Sequence, residues 1–137
     1  GIAVITPHPR ELSRLSGKSV TEIQENRIAT VRRLSQEWNV VLLLKGAFTV
    51  IGSPDASIFI NPTGNSALST AGSGDVLSGF IGAFMAQGLS PLHATLTGAF
   101  LHGLAADCFV EQNNSNYMVA SDLFEGLRLA RNSIKIH

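Results

Sequence analysis

Ala71-Gly72-Ser73-Gly74-Asp75 is the part of the chain whose residue types most directly suggest chemistry. Its two glycines let backbone N–H groups come close to a ligand, and an apolar stretch with helical character follows from Val76. Such N–H groups at a helix N-terminus, together with the macrodipole, favour an anion such as phosphate. Gly72, Ser73 and Gly74 are therefore candidates for an anion hole. A carboxylate opposes a phosphate, so Asp75 reads better as a base that takes a proton from a hydroxyl attacking a phosphoryl group. Asp is also a favoured helix cap, and these five residues alone leave both readings open.

Other candidates surround apolar runs. Lys45-Gly46-Ala47-Phe48-Thr49 follows Val40–Leu44, at the end of an expected central strand, where open α/β sheets place their ligands. The segment could line a nucleotide site through the Lys45 charge, or through its backbone and the Thr49 hydroxyl; it could equally be a hairpin approach with an exposed lysine. His8, between Pro7 and Pro9, sits at the same expected rim and could touch a substrate or simply shape a turn. Asn61, Thr63 and Asn65 are further candidates in the loop before the glycines. His93 and His102 have no carboxylate at a supporting helical spacing, so both read as helix residues and no residue is expected to ligate a metal. Glu22 and Glu25 with Arg32 and Arg33 read as a solvated helix face. Cys108, the single cysteine, excludes an intramolecular disulfide and reads as core filler.

The elements that must position these groups follow from periodicity. Ile2–Ile5 predicts a central strand buried on both faces, followed by a short helix closing at Gly17. Ser19 with Glu22 three residues on is a capping-box pattern, opening one helix through Ile23, Ile28, Val31, Leu34 and Trp38 to Asn39. Val40–Leu44 predicts a second central strand, and Phe48–Ile51 with Ser57–Ile60 a hairpin. Asn61–Asp75 is a structured loop. Helices are expected from about Gly74 to Gln87, from Pro91 to about Glu111, and from Asp122, with Glu125 three residues later. This order indicates an α/β layered fold with parallel central strands.

The 137 residues make one domain's worth of chain. Ten Lys+Arg balance ten Asp+Glu, so no general basic field attracts nucleic acid or an anionic membrane. With 45% hydrophobic and 15% charged residues the chain is too apolar for disorder. Val76–Ala106 lacks Asp, Glu, Lys and Arg, but Gln87-Gly88-Leu89-Ser90-Pro91 interrupts it, and two buried helices are expected instead of a membrane span. No secretory signal opens the sequence, and a reducing cytoplasm is the expected compartment. The chain starts without Met inside an expected strand, which reads as a fragment, a processed product or a trimmed chain.

Thr6-Pro7-His8-Pro9, Lys45–Thr49, Asn61-Pro62-Thr63-Gly64-Asn65, Gly72-Ser73-Gly74-Asp75-Val76-Leu77-Ser78-Gly79 and Leu101-His102-Gly103-Leu104-Ala105 together closely resemble the ADP/ATP-dependent NAD(P)H-hydrate dehydratases of the ribokinase-like superfamily. The resemblance covers the C-terminal half of that family's domain. It implies a ribokinase-like fold with a mainly parallel sheet flanked by helices. It also implies repair of hydrated NADH and NADPH, in which ADP or ATP phosphorylates the ring hydroxyl and phosphate is eliminated. By that resemblance Asp75 is the base and contacts the hydrate, Gly72–Gly74 form the anion hole, Lys45–Thr49 and Gly74 line the nucleotide site, His8 touches the hydrated dinucleotide, and Mg2+ accompanies phosphoryl transfer. Arg10 stands where the family has glycine, Ser66-Ala67-Leu68 where Pro-Gly-Met is common, and Ala71 where glycine is frequent. A hydroxymethylpyrimidine or thiazole kinase of the superfamily, and an inactive nucleotide-binding fragment, are the competing readings. A central first strand would need cover from the missing N-terminal half or from a second copy, so a homo-oligomer is expected.

Overall fold

The computed structural model describes residues 1–134, which divide into two compact units: residues 1–61 with 89–96, and residues 62–88 with 97 onward.

In the first unit, strands β1 (Ala3–Ile5), β2 (Val40–Leu44), β3 (Val50–Gly52) and β4 (Ile58–Ile60) form one sheet in the order β1-β2-β3-β4. β1 and β2 run parallel, with Val4 opposite Val41, as a crossover through helices requires. β2, β3 and β4 pair antiparallel, so the hairpin makes the sheet mixed. Among the described residues β1 is the edge of the sheet, Ile2 is 41% exposed, and Val4 and Ile5 are half-buried, so the second neighbour and the cover expected for a central first strand are not among the described strands. β2 does meet the expectation, with Val41 to Leu44 essentially without exposure.

Three helices join β1 to β2: α1 (Pro9–Ser16), α2 (Val20–Glu25) and α3 (Arg27–Trp38). α1 closes on Gly17, whose φ of 73° is a left-handed conformation that glycine adopts freely. Ser19 caps α2 through its hydroxyl, which accepts from the Glu22 amide at 3.1 Å. The single helix expected to run on to Asn39 breaks at Asn26 (φ −131°, ψ 43°). The Asn26 side-chain amide donates back to the Glu22 carbonyl at 3.3 Å, a local bond that competes with helix continuation. Leu12, Ile23, Val31 and Leu34 pack with Leu42, Leu44 and Val50 to make this unit's core. Each such buried side chain contributes about 1.5–3 kcal/mol relative to exposure.

The second unit carries α4 (Ser73–Ala86), most of α5 (Pro91–Asn113) and α6 (Asp122–Ser133), preceded by a 3-10 turn at Ser66–Leu68. The expected opening of α6 differs in detail. Ser121 is its cap without a side-chain bond, and the Asp122 carboxylate instead accepts from the Val119 amide at 2.9 Å. Ala105, Ala106, Phe109, Met118 and Leu123 form this unit's core. Cys108 is half-buried, with its sulfur 4.0 Å from the Ser133 hydroxyl. Among the described residues no helix is long and apolar enough to cross a membrane.

α6 packs on α5 with no room for a side chain at Gly126, where a Cβ would lie 2.1 Å from the Ala105 carbonyl oxygen. At Gly82, within α4, a Cβ would meet nothing within 4 Å. Gly126→Ala should therefore destabilise by roughly 1–3 kcal/mol through overpacking, whereas Gly82→Ala should stabilise by up to about 1 kcal/mol through helix propensity. Urea unfolding of the two variants checks the sign of each.

Candidate active site

In the second unit the glycine-rich turn is the start of α4. Gly72 is its N-cap at φ 85°, a left-handed conformation that strains any residue with a side chain. The Asp75 and Val76 amides both donate to the Gly72 carbonyl at 3.1 Å, and the Ser73 amide donates to Thr70 at 3.3 Å. The Gly74 amide has no partner among the described residues and remains one of the open donors at the helix start. Asp75 lies in the first turn, beyond the cap, with an exposed side chain. The capping residue is thus Gly72, and no described residue bonds the Asp75 carboxylate, so that carboxylate can accept a proton from an incoming group.

This turn is tied down from two sides. The Ser73 hydroxyl donates to the Leu68 carbonyl at 2.6 Å. His102, read from sequence as a helix residue, is buried on α5 with Nε2 2.9 Å from the Ser73 carbonyl. A carbonyl oxygen accepts but cannot donate, so the His102 proton sits on Nε2. Phe80 meets the imidazole edge-on at 6.0 Å between ring centroids.

The preceding loop is bound to α5. The Thr63 hydroxyl donates to the Phe100 carbonyl at 2.8 Å. The Gly64 amide and the Asn65 side-chain amide donate to the two Asp107 carboxylate oxygens, at 2.9 and 2.8 Å. Gly103 permits this approach, since a Cβ there would lie 2.6 Å from the Thr63 carbonyl carbon. Asn65 also caps the 3-10 turn, its side-chain oxygen accepting from the Ala67 amide at 2.9 Å. Thr63 and Asn65 therefore hold the loop in place, and Asp107 and His102 are partners that their spacing along α5 did not reveal.

In the first unit His8 and Lys45 come together around Glu11, a residue the sequence did not single out. His8 caps α1: its Nδ1 accepts from the Glu11 amide at 3.1 Å, and its own amide donates to the Glu11 carboxylate at 2.7 Å. This is a capping box with histidine in place of serine, followed by Pro9 in the first turn. Lys45 donates its amide to the Pro7 carbonyl at 3.0 Å, and its ammonium lies 3.7 Å from Glu11. The Lys45 ammonium is thus faced by a carboxylate of the chain itself. The rest of the segment is open, with Phe48 71% exposed at φ 54°, an unusual conformation for a bulky residue. The Thr49 hydroxyl donates to the Gly46 carbonyl at 3.2 Å, and the Asn61 amide to the Thr49 carbonyl at 2.9 Å. Among the described residues no group of three or more His, Cys, Asp or Glu side chains could hold a metal.

A mixed sheet joined by helices, followed by a helical unit whose glycine turn opens a helix, is a ribokinase-like α/β arrangement, shared with a superfamily protein of known structure. Comparison with known proteins narrows this class. The family model for NAD(P)H-hydrate dehydratase matches residues 1–128, and the chain belongs to that family. It is 49% identical over 127 residues to a bifunctional NAD(P)H-hydrate repair enzyme of Moorella thermoacetica, covering 93% of this chain and 24% of the relative. It is 42% identical over 132 residues to the ADP-dependent (S)-NAD(P)H-hydrate dehydratase of Neisseria meningitidis, covering 96% of this chain and 45% of the relative. The structure of the ADP/ATP-dependent NAD(P)H-hydrate dehydratase from Bacillus subtilis, co-crystallized with ATP/Mg2+, superposes with a TM-score of 0.92 at 34% identity, over 98% of this chain and 49% of the other. The chain thus spans about half the length of the dehydratases it matches, and about a quarter of the bifunctional relative.

The Glu11 cluster has a pH signature. The His8 amide bond, foremost, and the Lys45 charge hold the Glu11 carboxyl below its ordinary 4.5. A carboxylate with a depressed folded-state value stabilises above its unfolded value and loses that contribution as pH falls through the folded one. The stability difference between the wild type and Glu11→Gln should therefore be full at neutral pH and shrink below pH 4.5. Urea unfolding across that range tests it; a pH-independent difference would remove the ionised carboxylate from the account.

Proposed function

We propose that the protein carrying this chain dehydrates hydrated NADH and NADPH, using ADP or ATP as phosphoryl donor. The observation that supports it most is the exposed, unbonded Asp75 carboxylate in the first turn of α4, one residue from the open Gly74 amide. Asp75 takes the proton from the hydroxyl on the hydrated nicotinamide ring as that oxygen attacks the terminal phosphorus of the nucleotide. The bond from that phosphorus to its bridging oxygen breaks, leaving AMP or ADP. Inorganic phosphate then departs with the ring oxygen, a ring proton is lost, and the carbon–carbon double bond returns. The open Gly74 amide and the dipole of α4 favour the negative charge on the transferred group, in an anion hole whose turn Gly72 and Ser73 complete.

The remaining roles follow the same reading. Lys45–Thr49 in the first unit contacts the nucleotide chiefly through backbone, since the Lys45 ammonium already faces Glu11. His8 touches the hydrated dinucleotide. Mg2+, held through the nucleotide phosphates, would offset their charge during the transfer. The outer edge of β1 pairs with the rest of the protein or with a second copy, and the protein is a cytoplasmic homo-oligomer.

Asp75→Asn in the intact protein should leave nucleotide affinity nearly unchanged and lower turnover of hydrated NADH by roughly 10²–10⁴-fold. Calorimetry with ADP and ATP, beside the growth of NADH absorbance, measures both. Turnover near wild type would make Asp75 a helix residue without a chemical role.

A further inference from the structure

Arg27 opens α3, and its guanidinium turns back on the end of β2. Nη2 donates to the Leu44 carbonyl at 3.3 Å, and Nη1 to the Lys45 carbonyl at 3.4 Å and to Gln24 Oε1 at 2.9 Å. A Cβ on Gly46, which has φ 145°, would fall 2.8 Å from Nη1, so the guanidinium lies against the backbone where the chain leaves the strand.

This placement is locally unfavourable. A cation in the first turn of a helix opposes the macrodipole. Arg27 is half-buried, and among the described residues no carboxylate pairs with it within 4.0 Å. What offsets the cost is the set of bonds to neutral oxygens, in which one planar fork spans two consecutive carbonyls. Immediately beyond those carbonyls the chain takes the positive φ values of Gly46 and Phe48, conformations that persist where the surroundings fix them. Ala47 and Phe48 border a depression of about 590 Å³ that Arg27 also lines.

We propose that Arg27 is a positioning residue for the nucleotide, its guanidinium fixing the exit of β2 so that the Lys45–Thr49 backbone is held ready for the ligand. The proposal rests on the assignment of that segment to the nucleotide. A lysine at this position would serve less well, because an ammonium cannot span two carbonyls in one plane.

The test compares Arg27→Ala, Arg27→Lys and, as a probe of the segment itself, Ala47→Glu in the intact protein. Calorimetric affinities for ADP and ATP, and KM and kcat for hydrated NADH, are the readouts. Arg27→Ala should weaken nucleotide binding by roughly tenfold or more, the loss expected of charge-assisted bonds, with the defect falling on nucleotide KM more than on kcat or on the KM of the hydrate. Arg27→Lys should recover part of the affinity, and it decides by the same comparison if Arg27→Ala does not fold. Unchanged nucleotide affinity in both Arg27 variants, with Ala47→Glu weakening it, overturns the positioning role and leaves the nucleotide assignment standing. Unchanged affinity in all three overturns both. An equal loss of kcat and of both affinities overturns it too, because it marks a general structural defect.

Discussion

The chemistry available in the second unit depends on how the carbonyl of Ser73 is held. The buried His102 imidazole donates to that oxygen at 2.9 Å, and the Ser73 hydroxyl donates to Leu68 at 2.6 Å. Between them these bonds fix the first turn of α4 against α5 and against the 3-10 turn. A glycine-rich turn fixed in this way presents the Gly74 amide and the Asp75 carboxylate without spending side-chain contacts on them. The loop before it follows the same logic, since Asp107 takes both the Gly64 amide and the Asn65 amide group.

The first unit uses charge differently. Glu11 closes the capping box of α1 with His8 and also faces Lys45, so one carboxylate organises both residues. With its ammonium drawn to Glu11, Lys45 matters to the segment that follows through its backbone: its amide binds Pro7 and its carbonyl receives Arg27. The strand end is thus held from α1 on one side and from α3 on the other.

Much of the local structure was legible in the sequence because its causes are local. Gly17 ends α1, Val40–Leu44 is a buried strand, and the hairpin and the helix after Gly72 lie close to where periodicity and turn residues place them. The break at Asn26 escaped notice because the apolar spacing continues through it, while the cause is one side-chain bond to Glu22. His8 as a cap escaped notice because histidine replaces the usual hydroxyl or carboxamide. The partners of the candidate residues were the least legible. Glu11 with Lys45, Arg27 with Leu44, His102 with Ser73 and Asp107 with Gly64 join positions far apart in sequence, and no spacing rule within one helix encodes them. The rank of β1 in the whole sheet depends on which strands lie beside it, and the described strands supply a neighbour on one side alone.

The fate of the transferred phosphate tests the central claim most directly. The intact protein is incubated with hydrated NADH and a nucleotide labelled in its terminal phosphate, and label, reduced dinucleotide and nucleotide product are counted together. The account predicts equal amounts of inorganic phosphate, NADH and the shortened nucleotide. A labelled phosphate ester that accumulates while no NADH appears would contradict it, because the site would then transfer phosphate without eliminating it.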